Sequence, residues 1–355
     1  MSLWTTNIWG EDLWTVDLWS TNPWEYEPLA LYFTNTSASL SPYIVVTGTP
    51  DILWTWSDDT TDTNANPADV TSIGDNSLYV SDWNAVTRFY FQSQNLTGSF
   101  VTKEWVNLTF LMFYDNNLSG RFISRKWASL RYLYIYGNSF SGYFDSMNWE
   151  TLEFLDINGN DFSGDFITKD WESLQSLRCD SNNFSGDFTT KDWDDITYIN
   201  CNSNDFSGTF VTKDWVNITS LSCGSNDFSG TFTTKAWTSV GTINCSGNSF
   251  SGDFAMQEWA ALDRLYCSGN SFSSLSGSFQ TQIDLIVCDF SNNAISSVTQ
   301  IDQMLSDLLI NAADAGRTAV CTVNISGTSM ATPSAAGLSD IDDLVNIYGW
   351  TVTHA

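Results

Sequence analysis

Three groups of residues in this chain of 355 carry functional groups that could do chemistry. The first is the segment GTSMATPSAAG, residues 327–337, which carries the hydroxyl of Ser329. A serine nucleophile also needs a base to take its proton and a third group to orient that base. The chain's single histidine is His354, downstream of Ser329 and next to the last residue. The second group is Asp58, Asp59, Asp62 and Asn64, hard oxygen donors of the kind that suit Ca²⁺. Their spacing is not that of an EF-hand loop, so they read as a solvated loop. The third is a set of cysteines, Cys179, Cys201, Cys223, Cys245 and Cys267, at an interval of 22, followed by Cys288 and Cys321. One thiol per interval with no histidine beside it is not a zinc-ligand pattern. It reads as a column of small buried side chains. The expectation is no catalytic residue, no metal and no cofactor.

Charge and composition narrow the partners. Forty-one acidic against 13 basic residues, a formal net charge of −28, disfavours nucleic acid, whose phosphates need cationic contacts. The same balance disfavours an anionic membrane surface. An apolar content of 42% with 15% aromatics excludes a disordered chain. No apolar run approaches the roughly 18 residues of a membrane-spanning helix. The first basic residue is Arg88, so the basic start of a secretory signal is expected to be missing.

The elements that position these residues are set by a repeat. Tryptophan recurs at 83, 105, 127, 149, 171, 193, 215, 237 and 259, every 22 residues. Counted from each Trp, apolar residues stand at +3, +6 and +8, Asn or Gln at +11, Leu or Phe at +13, Gly at +15 and Phe at +17. Alternating apolar residues at +6 and +8 predict a short strand with one buried face. The Asn predicts a turn closed on backbone groups, and the Gly a tight return. Written as LxxLxCxxNxFSGxFxTKxW, the unit resembles the leucine-rich repeat over residues 83–297, with a longer last coil at 285–297. The resemblance implies a β-rich solenoid of 22-residue units, in which no coil buries its face alone.

The flanks differ. Residues 40–82 alternate in strand fashion, and TGTPDILWTWSDDTT followed by NSLYVSD resembles a PKD-like β-sandwich, which implies a cap over residues 25–82 on the first coil's open edge. Residues 298–355 predict a small α/β cap: a helix over VTQIDQMLSDLLINAADAG, a strand over RTAVCTVNIS, a helix with Ser339 as its N-cap, and a last strand over GWTVTH. Within it, GTSMATP resembles the nucleophile motif of subtilisin-like proteases. In that family both triad partners precede the serine, and here repeats fill that stretch. A strand-to-helix loop is the expected reading.

Residues 1–24 carry Trp4, Trp9, Trp14, Trp19 and Trp24 at an interval of five, which fits neither a helix face nor a strand face. They read as an anchoring arm, and resemble Trp-punctuated N-termini of tailed-phage virion proteins.

On the outward side of the predicted strands, at +5, +7 and +9, the early coils place Tyr90, Phe110, Met112, Tyr114, Tyr132, Tyr134, Tyr136 and Phe154. Later coils place Ser220, Ser222, Gly224, Thr242, Asn244 and Ser246 there. Solvent alone does not account for contiguous aromatics: they read as a binding site for an external partner, the alternative being that the N-terminal arm or cap folds over them within the chain. Taken together, the sequence predicts a non-enzymatic structural protein on the surface of a tailed-phage virion, assembled in the host cytoplasm. Such a protein is expected to join other virion proteins through its arm and to be part of a homo-oligomer or larger assembly. Its aromatic face is expected to meet a host surface glycan or protein. The alternative is a bacterial cell-surface adhesin of the same fold.

Overall fold

A computed structural model describes residues 30–36, 40–64, 66–67, 73–314 and 320–354. The anchoring arm predicted over residues 1–24 lies outside them. Across the described residues the chain winds as a leucine-rich-repeat solenoid. Each coil adds one strand to each of two 13-stranded sheets.

The first sheet holds the strands the repeat predicts, among them Phe110–Met112, Tyr132–Tyr134, Phe154–Asp156, Ser176–Arg178 and Tyr198–Asn200. Neighbours pair in parallel and in register, so that Leu111, Leu133, Leu155, Leu177 and Ile199 form one buried column. A step of one whole repeat per strand keeps every equivalent side chain on the same face.

The second sheet is where the structure departs from the expectation of one strand and a tight return. The FSG segments form strands of their own, such as Asp161–Asp165, Asn183–Asp187 and Asp205–Thr209, also parallel and in register. Phe at +13 points into the core, and Gly at +15 lies within the strand at positive φ, from +73° at Gly186 to +81° at Gly98. That backbone bend excludes most L-residues. A Cβ on Gly186 would also come within 2.5 Å of Asp165 Oδ1 on the preceding coil.

Three polar devices join coil to coil. The buried Asn at +11 is the strongest. Asn182 Oδ1 accepts from Phe162 N on the previous coil at 3.1 Å, while its Nδ2 donates to Ile157 O at 3.0 Å and to Cys179 O at 3.2 Å. The amide thus satisfies groups that the turn leaves open on two coils. Each repeat Trp from 127 onward donates Nε1 to a backbone carbonyl 24 residues earlier, as Trp171 does to Met147 O at 2.9 Å. The Trp rings stack at centroid distances from 5.7 to 6.3 Å. Thr at +19, as in Thr168 and Thr190, donates its hydroxyl to a carbonyl of the next coil.

The N-terminal segment extends both sheets. Ala30–Asn35 pairs antiparallel with the first coil's strand Leu96–Gly98. Gly74–Val80, Ile52–Thr55 and Thr61–Asp62 follow outward. Tyr43–Val46 pairs antiparallel with Val86–Tyr90 in the first sheet. Trp54 stacks on Trp56 at 5.5 Å and, with Phe33, packs against Phe91 of the first coil. The Gln94 that replaces Asn in this coil reaches farther, and its Oε1 accepts from Ser41 N at 2.7 Å.

At the other end the last coil is one residue longer, so Cys288 pairs with Leu265 and Phe290 takes the column position of the earlier cysteines. Asn293 still repeats the turn amide's contacts, donating to Cys267 O and Phe290 O. Helix α1, Val298–Ala312, is capped by Ser297. The strand Thr322–Ile325, helix α2, Ala335–Asn346, and the strand Thr351–His354 complete this end. The N-cap of α2 is Ser334 and not Ser339. Ser334 has extended backbone and its hydroxyl accepts from Ala336 N at 3.1 Å, so the helix starts before Ser339. Among the described residues no helix is long and apolar enough to cross a membrane.

Candidate binding face

The three candidate chemistries resolve as follows. Ser329 is exposed in the turn between the strand Thr322–Ile325 and α2, the loop expected for it. In the acidic loop, Asp58 Oδ1 accepts from Thr60 N and Oγ1, and Asp62 Oδ1 accepts from Asn64 N and Nδ2. The Thr60 hydroxyl and amide hold the Asp58 carboxyl below its ordinary range. These carboxylates close their own turns. All seven cysteines are buried free thiols, with Cys245 and Cys267 sulfurs 3.6 Å apart. Burial pushes Cys201 and its buried neighbours up, so they stay protonated.

The eight outward residues share one face of the first sheet, and each is partly exposed. They form ladders one coil per rung. Phe110, Tyr132 and Phe154 stack at 4.2 and 5.1 Å, each pair within 12° of parallel. Tyr114 and Tyr136 stack at 4.6 Å and 8°. Tyr90 leads in at 6.4 Å from Phe110 and packs against Tyr43, a residue of the N-terminal segment, at 5.1 Å. Arg88 lies over the Phe110 ring at 4.5 Å. Glu153 accepts from Tyr132 Oη at 2.8 Å and from Arg131 Nε at 2.7 Å, which fixes the middle rung.

The ladders stop abruptly. In register, Tyr134 is followed by Asp156 and then Arg178, and the position after Tyr136 is Asn158. At +7 and +9 the rings give way to Asp156 and Asn158 within one coil, while Phe154 keeps a ring at +5. The step opens a cleft of about 520 Å³ lined by Met112, Tyr114, Tyr134, Tyr136, Asp156, Asn158 and Arg178.

Its electrostatics follow from half-burial. Burial pushes the Asp156 carboxyl up to about 6, against the pull of Arg178, whose guanidinium stands 3.7 Å away. Burial, then the Asp156 charge, pushes the Tyr134 phenol up to about 12, so it keeps its proton. Burial also raises Asp180. Arg178 Nε and Asp180 Oδ1 are buried without a hydrogen-bond partner.

The outward columns of the repeat signalled the seven aromatic residues and Met112. Asp156, Asn158, Arg178 and Tyr43 went unsignalled. The first three belong to the site because they interrupt the aromatic columns, a contrast visible when coils are aligned at 22. Tyr43 belongs through the pairing of Tyr43 with Tyr90, which no periodicity encodes.

No protein-family model matches the chain, and no curated protein matches it in sequence. Among solved structures, it is similar to the plant peptide hormone receptor RGFR1 in complex with RGF2, at 17% identity and TM-score 0.58, over 77% of this chain and 48% of that one. A TDR receptor matches at 17% identity and TM-score 0.56, over 75% and 46%. The Arabidopsis receptor kinase HAESA, in complex with the peptide hormone IDA and the co-receptor SERK1, matches at 18% identity and TM-score 0.53, over 72% and 48%. The chain spans about half the length of these structures. At this identity the likeness is one of fold: a leucine-rich-repeat solenoid, the fold of these receptor ectodomains.

Proposed function

We propose that the chain is a non-enzymatic binding protein that holds its partner on the aromatic face of its first coils. One observation carries the reading: stacked, partly exposed rings cover that face in four successive coils and then end at a polar cleft, while the Trp column and the turn amides beneath continue. Rings add nothing to the stacking of coils that Ser and Asn do not allow, so their cost in exposed apolar area points to a partner. The solved structures of like fold include proteins in complex with peptides, which agrees with a binding role.

The finer reading places this protein on the surface of a tailed-phage virion as a fibre, decoration or host-attachment module. It is anchored to other virion proteins by Trp4, Trp9, Trp14, Trp19 and Trp24 and assembled there with further copies. That placement rests on the resemblance of the Trp-punctuated segment and of the PKD-like cap. Deleting residues 1–24 should leave a folded chain that no longer joins its particle. A truncated chain that incorporates normally overturns the placement.

The binding reading is tested with Tyr114→Ala/Tyr134→Ala against an oligosaccharide array and a random-peptide library. The double variant should melt within a few degrees of the parent and lose at least about tenfold in affinity for the ligands the parent selects. Ligands retained at full affinity overturn the reading. So does a variant destabilised by several kcal/mol, which would make the patch internal core.

A further inference from the structure

We infer that the step at the end of the aromatic ladder is a carbohydrate subsite, in which a neutral sugar ring stacks on Tyr134 and Tyr136 and its hydroxyls meet Asp156, Asn158 and Arg178. The inference rests on the binding reading above and gives its ligand a chemical class.

Four observations favour a sugar. The first is shape. Tyr136 is stacked on Tyr114 through one ring face, and its other side looks onto the cleft where the next coil offers only Asn158. A terminal ring with an open face is a platform for a flat apolar surface, such as the C–H face of a pyranose. The second is charge. The lining holds one carboxylate and one guanidinium, with an amide and three phenols, so it is neutral in sum. A cationic or anionic peptide gains little there, whereas a neutral ligand bearing both donors and acceptors is matched.

The third is unmet hydrogen bonding. Arg178, which lines the cleft, has its Nε without an acceptor. A hydroxyl group is at once a donor and an acceptor, so a sugar hydroxyl can accept from the Arg178 guanidinium once it swings off Asp156, a contact that is loose at 3.7 Å. Tyr134 keeps its phenolic proton and offers a second donor. The fourth is size. A cleft of about 520 Å³ is in the range of small-ligand sites. A stable protein interface needs about 800 Å² from each partner, whereas seven residues line this cleft.

The test uses the full chain on immobilised cellohexaose, laminarihexaose, mannohexaose and chitohexaose, with a random-peptide library in parallel. At least one hexasaccharide should bind saturably. Tyr136→Ala should weaken it about tenfold, and Arg178→Ala about threefold or more. Tyr136→Phe, which keeps the ring, should stay within about threefold of the parent. Asn158→Tyr should abolish binding by extending the ladder one rung and filling the step, in a column where two earlier coils already carry tyrosine. Tyr266→Ala, on the same face but far along the stack, should leave affinity unchanged.

Silence from all four hexasaccharides overturns the inference, as does sugar binding that survives both Tyr136→Ala and Asn158→Tyr. If only peptides bind, and lose affinity in Tyr114→Ala/Tyr134→Ala, the sugar subsite falls while the binding face stands. If neither arm shows binding that depends on the aromatic residues, both fall.

Discussion

The coils that carry Tyr132 and those that carry Asn244 are built on one scaffold and finish their outer faces in opposite ways. Beneath, the two regions match bond for bond. Asn138 Oδ1 accepts from Leu118 N at 3.0 Å and its Nδ2 donates to Phe113 O and Ile135 O, as Asn248 accepts from Phe228 N and donates to Cys223 O and Cys245 O. Above, the early coils stack rings, whereas the later coils satisfy themselves locally. Asn244 Oδ1 accepts from Ser246 N at 3.1 Å and from Ser246 Oγ at 2.7 Å, and Asn200 Oδ1 accepts from Asn202 N at 3.1 Å. These short Asx turns need no partner outside the coil. Asp156 marks the crossover: it makes the Asx turn to Asn158 while standing in register with Tyr134. The outer face is therefore free of the scaffold's demands. Where it departs from the self-sufficient polar finish, stability does not supply the reason.

Three measurements sharpen that comparison, from the largest effect down. Removing the turn amide should cost most. Asn138→Ala and Asn182→Ala should each destabilise by about 3 kcal/mol in urea unfolding, because several buried backbone groups lose their partner at once. The two losses should agree within about 1 kcal/mol, and a wider gap would mean that the halves do not share a scaffold. Next comes Asp156→Asn, read against pH. The folded carboxyl titrates near 6 and the unfolded one near 3.9. The folded state therefore binds more protons across that window, and wild-type stability falls as pH rises through it. The variant should lack that fall. At pH 7 it should be more stable than the parent by on the order of 1 kcal/mol, less than the shift alone implies because Arg178 loses its counter-charge, and the difference should vanish at pH 4. A gain that persists at pH 4 would place the effect elsewhere. Smallest is the outer finish itself: Tyr132→Ala should cost about 1 kcal/mol and Asn244→Ala about 0.5 kcal/mol. If Tyr132→Ala costs as much as Asn138→Ala, the rings are scaffold after all.

The first sheet was legible because apolar residues at +3, +6 and +8 report burial directly, and because a 22-residue interval allows only stacking. The second sheet was not. Its FSG segments alternate only Phe against Ser, Gly and Asp, residues that disfavour strands. Neighbouring coils, and not local propensity, make Asp161–Asp165 and Asn183–Asp187 extend. The start of α2 was misplaced because Ser339 precedes an acidic stretch that suits a helix's first turn, while Ser334, behind Pro333, makes the bond that counts. Of the candidate site, the aromatic residues could be read one by one, since each stands at an outward position. The cleft could not, because it is a difference in side-chain height between residues 22 apart, and Tyr43 enters by a strand pairing that no repeat announces.

The lengthened last coil also bears on how such a gene can grow. Between Trp105 and Trp259 any coil follows any other in the same phase, so duplication or loss of a 66-base-pair unit would preserve every column. Past Tyr266 the phase slips by one residue, and Phe290, wedged against Phe254 and Phe279 at 5.2 and 6.2 Å, stands in the column that the preceding coils fill with thiols. Recombination can lengthen the middle and slide the aromatic cleft away from the C-terminal helices, whereas a 22-residue unit added beyond that point would be one residue out of phase with the last coil and the strands Thr322–Ile325 and Thr351–His354 that follow it. The chain thus behaves as a ruler with one fixed end.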